Sequence, residues 1–292
     1  MDPTRTDRPR RRWLRLLGRV AGRLARQPRR TADLVRASYD RLADGYDAAW
    51  THHMRGRTVE MLDRLAPPAG ADCIDLTTGT GFVAGELQRR AGGLVVGVDA
   101  SDAMIRVARR TCPPCHFICE DALDYLRRRP PASADVITCA WGLGYTRPAL
   151  VLAQAARVLR PGGRIGIIDN ALTSLAEVLW VSLQAFAERP QALRHVMRVR
   201  FLPHSLALAT LMRLSGLGVS ARWDASQSYQ AGDGRATLER LLSTGAAAGF
   251  EFAAREEDRE AIFARFVELI DQRNEPFTVT HRYLAAVGVR AC

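Results

Sequence analysis

The sequence predicts an α/β protein whose core is a mostly parallel β-sheet with crossover helices. Three observations support this prediction. Short apolar runs alternate with turn-rich or helical stretches between residues 73 and 168, closely spaced glycines follow the first run, and acidic residues follow the second and third. Neighbouring parallel strands require long crossover connections, which this spacing provides. Because ligands of such sheets bind at the carboxyl ends of the strands, the glycines and acids mark the expected site.

The apolar runs define the first five predicted strands. They are Cys73 to Leu76, Leu94 to Val98, His116 to Cys119, Val136 to Ala140 and Arg164 to Ile168. Near the end of the chain, the segment FTVTHRYLAAVGVR alternates apolar and polar residues and predicts a final strand. Helices are expected between these strands, and two more are expected before the final strand, one ending near Gly249 and one from Glu256 to Asp271.

Composition places the chain among globular proteins. It has 292 residues, of which 47% are hydrophobic and 25% charged, enough for one large α/β domain with an insertion or for two small domains. No apolar stretch approaches the roughly 18 to 20 residues of a membrane-spanning helix. The six cysteines occur in a chain with no cleavable signal pattern, which favours a reduced setting. We therefore expect a cytoplasmic protein, with peripheral membrane association left open.

The first 30 residues carry most of the positive charge. They contain 11 arginines against Asp2 and Asp7, a net charge of +9 out of +11 for the whole chain. Apolar residues recur at helical spacing and arginines cover the other face, until Pro28 ends the pattern; the apolar residues are Trp13, Leu14, Leu17, Val20, Ala21 and Leu24. This predicts a basic amphipathic helix over residues 1–30. Lipid contact through residues 12–26, packing on the protein itself, disorder, targeting and RNA binding all fit its composition.

The segment CIDLTTGTGF combines an apolar run with a glycine-rich turn. Gly79 and Gly81 allow a tight turn and close backbone approach to a ligand, and the helix starting near Phe82 offers unpaired N–H groups. Two further acids follow the next strands. Asp99 lies about 20 residues on, where a carboxylate accepts hydrogen bonds from ribose hydroxyls, and Asp121 suits an adenine amino group.

Together these motifs resemble the class I S-adenosylmethionine-dependent methyltransferases. The resemblance rests on DLTTGTG, GVDASDAM, EDA and VLRPGGRIGIID, and it covers roughly residues 35–170. It implies a Rossmann-like, doubly wound, mostly parallel seven-stranded sheet with a helical insertion after the fifth strand, and S-adenosyl-L-methionine as the cofactor. The form D-L-x-x-G-T-G is similar to the branch of ubiquinone and menaquinone C-methyltransferases and related lipid methyltransferases.

The resemblance implies a set of cofactor-binding residues. Gly79 and Gly81 would contact the amino-acid part of the cofactor, Asp99 the ribose, and Met104, Asp121 and Ala122 the adenine. Asp75 would lie at the cofactor's amino group or hold the loop. Thr77 and Thr78 replace a glycine; we expect extended backbone there, with hydroxyls available to the cofactor carboxylate. The complete predicted set is Tyr46, Asp75, Thr77, Thr78, Gly79, Gly81, Asp99, Ala100, Met104, Asp121, Ala122, Trp141 and Gly142.

Two further segments resemble this branch and suggest substrate contacts. ASYDRLADGYDAAW is similar to the segment that covers the cofactor in many small-molecule methyltransferases, and ITCAWGLGYT is similar to the stretch after the fourth strand of the quinone enzymes. The candidate substrate residues are Tyr39, Tyr145 and His204. His204 and His281 are candidate bases only because they titrate. No [DNS]-P-P-[YF] motif is present, which argues against a nucleic acid base as acceptor.

No metal site is predicted. Cys112 and Cys115 have C-x-x-C spacing, but no second pair completes four zinc ligands, and we expect neither metal binding nor redox function from spacing alone.

Four regions are expected along the chain. They are residues 1–30, the basic helix; 31–170, the cofactor-binding core; 171–225, a helical substrate cap; and 226–292, the C-terminal part of the fold. Residues 172–215 look helical and strongly apolar. They would form either a hydrophobic lid for a lipid-like acceptor or a cap packed for stability.

The function expected from these observations is methyl transfer from S-adenosylmethionine to a hydrophobic small molecule, such as a quinone, a lipid headgroup or a natural product, at a membrane surface. Two alternatives stay open. One is an RNA or protein methyltransferase tethered by the basic arm, and the other is a non-catalytic protein that binds the cofactor. The acceptor atom and the oligomeric state are not predicted.

Overall fold

The computed structural model describes residues 9–26, 30–244, 250–273 and 275–291, and the strands of this part form a seven-stranded sheet. The strands are β1 Cys73–Leu76, β2 Val95–Asp99, β3 His116–Cys119, β4 Ala134–Ala140, β5 Leu159–Asn170, β6 Leu217–Gln230 and β7 Thr278–Arg290. Their order is β3-β2-β1-β4-β5-β7-β6. The first five strands pair in parallel, whereas β7 is antiparallel to β5. The predicted Rossmann-like, mostly parallel sheet is thereby confirmed.

Strand register brings the predicted loops to one edge of the sheet. Leu76 at the end of β1 pairs with Val98 on one side and with Cys139 on the other. The loops that follow β1, β2 and β4 therefore begin side by side. The strand order reverses between β1 and β4, and doubly wound sheets bind ligands at this switch point.

The ends of β2, β4 and β7 differ from the sequence prediction by one or two residues, and two other strands differ by more. β5 begins at Leu159 because the segment before the predicted start also pairs with β4, with a register shift between Ala134 and Val136. β6 was not predicted. Its sequence, LGVSARWDASQSYQ, is rich in serine and glutamine, and it lies at the edge of the sheet, where polar residues are common.

The helices are α1 Pro9–Arg26, α2 Arg30–Leu42, α3 His52–Leu65, α4 Phe82–Ala91, α5 Asp102–Thr111, α6 Ala122–Arg128, α7 Pro148–Val158, α8 Ala176–Glu188, α9 Ser205–Leu214, α10 Gly234–Ser243 and α11 Glu256–Asp271. The expectation of helix throughout residues 172–215 is wrong. Most of residues 189–204, between α8 and α9, are irregular, and Pro190 and Pro203 account for the break because proline lacks the N–H that a helix interior requires.

The chain divides into two compact units. The first comprises residues 1–38, 175–198 and 228–280, and the second comprises residues 39–174, 199–227 and 281–292. The second unit contains the sheet core, where apolar residues of β1, β4 and β5 pack with α6 and α7. Two smaller apolar clusters stabilise the first unit, one around Phe186 and Leu193 and one around Phe266 and Phe277.

Helix α1 packs within the first unit through Leu16, which is only 1% exposed. Trp13 and Val20 pack beside it against the cluster around Phe186. The sequence pattern had placed Leu14 and Leu17 on the apolar face and left Leu16 out. Instead, Leu14 is 68% and Leu17 59% exposed. The helix therefore buries one apolar stripe and leaves a second stripe open to solvent.

Several expectations lie outside the described residues. These are the helix end at Pro28, the helix end near Gly249 and the thiol of Cys292. Among the described helices, none is both long and apolar enough to cross a bilayer.

Candidate functional site

The loop after β1 is held in a left-handed turn. Thr77 has a φ of 53°, so the expected extended backbone is wrong at this position. Its hydroxyl donates to the carbonyl oxygen of Leu76 at 2.6 Å, and the Thr78 hydroxyl donates to a carboxylate oxygen of Asp75 at 2.5 Å. Both hydroxyl protons are therefore used inside the loop. In this arrangement the two threonines do not donate to a cofactor carboxylate.

Asp75 anchors the loop after β1 to the neighbouring strand β4. Its second oxygen accepts a hydrogen bond from the Thr138 hydroxyl on β4 at 2.7 Å, and the side chain is buried. Burial raises the pKa of Asp75 to about 7, while the hydrogen bonds from Thr78 and Thr138 oppose the shift. Of its two expected roles, the geometry shows the loop-holding one.

Asp99 joins the loops of β1 and β2. One oxygen accepts from the Gly79 N–H and the other from the Ser101 N–H, both at 2.9 Å. Burial raises the pKa of this carboxyl above its usual value, against the two backbone hydrogen bonds. A carboxylate can accept about four hydrogen bonds, so Asp99 retains capacity for two ribose hydroxyls. Ala100, the next residue, is exposed at the same loop.

An apolar wall follows on α5. Met104 is buried with Ala103, Val107 and Ala43, and the rings of Tyr39 and Tyr46 pack against this cluster. Such a wall suits a planar adenine ring.

The loop after β3 starts with a helix cap. Asp121 caps α6 with one oxygen, which accepts from the N–H groups of Leu123 and Asp124. Asp121 is exposed and its second oxygen makes neither of these bonds, while Ala122 beside it is buried. A capping role and an adenine contact are therefore compatible.

Trp141 and Gly142 bring the β4 loop against the β1 loop. Trp141 has a φ of 60°, uncommon for a bulky residue, and its ring N–H donates to the Thr58 hydroxyl at 2.9 Å. A Cβ atom at Gly142 would lie 2.3 Å from the Thr77 hydroxyl oxygen. Glycine is therefore required here as long as Thr77 keeps its side chain.

A narrow pocket opens between these loops and the segment before β1. Its empty volume is about 430 Å³, including the part open to solvent. The lining residues are Tyr46, Trp50, Thr51, Met54, Thr58, Thr77, Thr78, Gly79, Thr80, Phe82, Val83, Ala140 and Trp141. Four of the other predicted cofactor residues (Tyr46, Thr77, Thr78 and Gly79) therefore share this pocket with Trp141.

Sequence reasoning missed several residues that line this pocket, among them Trp50, Thr51 and Thr80. Asp47, from the segment ASYDRLADGYDAAW, accepts hydrogen bonds from the hydroxyls of Thr51 and Thr80 and so ties the segment before β1 to the glycine loop. Trp50 contacts Trp141 edge-on, with ring centroids 5.8 Å apart. The aromatic-rich stretch DAAWTHHM was a usable signal for Trp50, whereas nothing in the sequence marked the two threonines.

A second aromatic group lies around Tyr145. Its ring contacts Tyr39 and Phe201 edge-on, with centroids 6.0 Å and 5.4 Å apart. Burial raises the pKa of Tyr145 to about 12, and burial also raises the pKa values of Tyr39 and Tyr46 well above normal. All three phenols are therefore protonated at neutral pH, and each can donate one hydrogen bond.

Asp169, at the end of β5, was also missed. Its oxygens accept from the N–H groups of Gly144 at 2.6 Å and Asn170 at 2.9 Å, and the side chain is buried. Burial raises its pKa to about 7. Asp169 thereby fixes the turn that presents Tyr145.

The two histidine candidates differ in position. His204 is exposed and caps α9, where its ring nitrogen accepts a hydrogen bond from the Ala207 N–H. Among the described contacts, none joins His204 to Tyr39 or Tyr145. His281 is buried, and its ring lies 5.1 Å from Trp50 and 5.5 Å from His53. Within the described residues, no group of three or more His, Cys, Asp or Glu side chains could hold a metal ion.

The described geometry fits S-adenosylmethionine. The Asp99 carboxylate suits the ribose, the wall around Met104 suits the adenine, and the turn at Gly79 and Gly81, both with positive φ, allows close approach of the amino-acid end to the backbone. Gly81 has a φ of 89°, which favours glycine, and precedes the N-terminus of α4.

Comparison with known proteins agrees with this fit. The family described as "Methyltransferase domain" matches residues 73–163. Nocamycin O-methyltransferase of Saccharothrix syringae is 34% identical over 137 residues, 44% of this chain and 48% of that protein. Demethylmenaquinone methyltransferase of Thermotoga maritima is 32% identical over 158 residues, 51% of this chain and 64% of that protein. The chain thus spans between about half and two thirds of the length of these two relatives.

Solved structures show the same fold at low sequence identity. The YcgJ protein of Bacillus subtilis has a TM-score of 0.55 at 18% identity, covering 82% of this chain and 99% of that one. A geranyl diphosphate methyltransferase in complex with S-adenosylmethionine has a TM-score of 0.50 at 16% identity, covering 81% and 85%.

Proposed function

We propose that this chain, whose residues 73–163 match a methyltransferase domain, is a class I S-adenosylmethionine-dependent methyltransferase that methylates a hydrophobic small molecule at an anionic membrane surface. The observation that best supports methyl transfer is the position of the Asp99 carboxylate. It links the Gly79 loop to the start of α5, beside an apolar wall and a pocket.

The proposed chemical class of the acceptor is inferred from the names of the relatives. The names of both relatives above specify small-molecule acceptors, a menaquinone precursor in one and the natural product nocamycin in the other. The aromatic pocket rim, formed by Tyr46, Trp50 and Trp141, is consistent with an apolar, planar acceptor.

The residues of the site would hold the cofactor, orient it towards the acceptor and shield both from water. When bound, S-adenosylmethionine supplies a methyl group already activated on a sulfonium. Asp99 would fix the ribose, and the Asp75–Thr78 contact would keep the loop in shape. Trp50 and Trp141 would exclude water, so that positioning supplies most of the rate increase. Tyr39, Tyr46 and Tyr145 would donate hydrogen bonds to an acceptor oxygen, since their raised pKa values exclude a role as base at neutral pH.

The cofactor assignment is tested with Asp99→Asn. The substitution keeps the size of the side chain but puts an NH₂ group where one oxygen accepts a backbone N–H. We expect the Kd for S-adenosylmethionine, measured by calorimetry, to rise by roughly 10- to 100-fold. Asp124→Asn, an exposed position on α6, serves as the control and should bind normally. Equal affinity of the Asp99 variant and the wild type contradicts the ribose assignment.

The acceptor class is tested with methyl-labelled S-adenosylmethionine and a whole extract of the source cell. After incubation, the mixture is partitioned between organic solvent and water. Label in the organic phase supports a hydrophobic acceptor. Label confined to water, and lost with Asp99→Asn, retains methyl transfer but rejects that acceptor class.

The membrane part of the proposal rests on the open stripe of α1. Leu14 and Leu17 are exposed there, and the helix carries seven arginines and no acidic residue. On α8, Trp180 is 52% exposed and stacks on Trp13, with ring centroids 5.6 Å apart. Exposed leucine and tryptophan beside arginines are typical of segments that bind anionic lipid.

Vesicle sedimentation tests this surface. The full chain should bind vesicles that contain phosphatidylglycerol and not neutral phosphatidylcholine vesicles. Leu14→Ser with Leu17→Ser should weaken that binding roughly tenfold, because buried leucine side chains contribute to interfacial affinity. Leu206→Ser, at a position on α9 that is 47% exposed, is the control. Binding to RNA but not to vesicles would favour the RNA methyltransferase alternative.

A further inference from the structure

Cys112 and Cys115 form a pair of thiols that methyl transfer does not use. Cys112 caps the carboxyl end of α5, and Cys115 immediately precedes β3. Their sulfur atoms lie 3.0 Å apart, and both cysteines are reduced. Cys115 is buried, whereas Cys112 is partly exposed. Reagents in solution can therefore reach one thiol of the pair, and the second lies directly behind it.

A rigid turn holds the two thiols together. The Cys115 N–H donates to the Cys112 carbonyl oxygen at 3.1 Å, so residues 112–115 form a hydrogen-bonded β-turn with Pro113 and Pro114 at its centre. The ends of a β-turn lie within about 7 Å, close to the Cα separation of about 4.4–6.8 Å that a disulfide requires. Proline fixes φ, so little conformational freedom is lost when the sulfurs join.

We propose that Cys112 and Cys115 form a reversible disulfide that weakens cofactor binding at the β1 loop. With hydrogen peroxide as the oxidant, the Cys112 thiol becomes a sulfenic acid and one water is released. The Cys115 thiol then attacks that sulfur, forms the S–S bond and releases a second water. The two thiols lose two electrons and two protons, and the peroxide takes up both. Two equivalents of a small thiol reverse the step by exchange and leave as their own disulfide.

The order of the two thiols follows from their surroundings. Burial raises the pKa of Cys115, which disfavours its thiolate. Cys112 is the more accessible sulfur, so it meets the oxidant first and Cys115 resolves the intermediate.

The pair is coupled to the cofactor loop through its neighbours. Thr111, adjacent to Cys112, donates a hydrogen bond to the carbonyl oxygen of Thr80 at 2.8 Å. The Cys115 thiol donates to the carbonyl oxygen of Ala84 on α4 at 3.5 Å. Oxidation removes that thiol proton and draws the sulfurs together by about 1 Å, to a bond length of about 2.05 Å. Both contacts to the loop and to the start of α4 are thereby disturbed.

Intact mass measurement tests the bond itself. The purified full chain, treated with a slight excess of hydrogen peroxide, should lose about 2 Da, and peptide mapping should place the cross-link between residues 112 and 115. Dithiothreitol should restore the original mass. Cys112→Ser and Cys115→Ser should each abolish the loss, whereas Cys119→Ser, at an exposed thiol, should retain it. Absence of a cross-link, or a cross-link elsewhere, overturns the proposal.

Calorimetry tests the coupling, and this part rests on the proposed function. The Kd for S-adenosylmethionine should rise roughly 3- to 10-fold on oxidation of the wild type and stay constant in Cys115→Ser after the same treatment. An unchanged Kd in the cross-linked protein overturns the coupling. Failure of the reduced protein to bind the cofactor overturns the proposed function instead, and the mass result still decides whether the disulfide forms.

Discussion

Thr77 shows how a single residue can depart from an expected pattern without changing the fold. The left-handed region costs about 1–2 kcal/mol for a residue with a side chain, and a β-branched residue is especially unfavourable there. Its hydroxyl contacts offset part of this cost. The missing glycine of the loop motif is therefore a conformational strain that the surrounding structure tolerates.

We expect Thr77→Gly to be more stable than Thr77→Ala by about 1 kcal/mol. Both variants lose the hydroxyl, but only glycine relieves the positive φ. Urea unfolding of the two variants measures the difference. Equal stability, or a more stable alanine variant, would show that Thr77 is not strained.

Gly142 provides a second test at the same contact. We expect Gly142→Ala to destabilise the protein by about 1–3 kcal/mol, because the new methyl group meets the Thr77 side chain. All three of its nearest atoms belong to Thr77, so Thr77→Gly should remove most of the cost. A double-mutant cycle measures this coupling. Additive effects in the cycle would refute the predicted contact.

At the scale of elements, the prediction from sequence succeeded where strands are short, apolar and bounded by turn residues. β1 and β3 were predicted to the residue, and the motif positions Gly79 and Asp99 meet in one hydrogen bond. The prediction from sequence failed for β6, whose polar composition is typical of a loop, and for the break between α8 and α9. The contacts of Asp47 and Asp169 could not be predicted, since they depend on how distant segments pack.

Helix α1 illustrates the limit of periodicity. Its pattern indicated a helix with one apolar face, but the choice of the buried stripe depends on the partner surface. We expect Leu16→Ala to destabilise the first unit by about 2–5 kcal/mol, because it leaves a cavity. The equally conservative Leu17→Ala should change stability by less than about 0.5 kcal/mol. Denaturant unfolding compares the two. Similar losses would show that α1 does not pack through Leu16.

At the scale of the whole molecule, two buried carboxyls predict a pH dependence of stability. The pKa values of Asp75 and Asp169 are raised from 3.8 to about 7, so the folded state binds more protons than the unfolded state between about pH 4 and pH 7. Their stabilising contribution is complete below pH 4 and is lost as the pH rises through 7.

We expect Asp75→Asn to flatten this dependence. Asparagine cannot titrate. One of the Thr78 and Thr138 hydroxyls can keep donating to the amide oxygen, and the other can accept from the amide NH₂ group. The difference in unfolding free energy between variant and wild type should shift in favour of the variant by roughly 1–4 kcal/mol from pH 5 to pH 8. Denaturant unfolding at several pH values measures it, with Asp124→Asn as the exposed control. A constant difference would show that Asp75 titrates normally.

The division into units also limits how the protein can be taken apart. The chain passes from one unit to the other after residues 38, 174, 198, 227 and 280, so no single stretch of the sequence encodes either unit. Two of these crossings lie inside β6 and β7. Neither unit can therefore be produced by itself as one uninterrupted fragment of this chain.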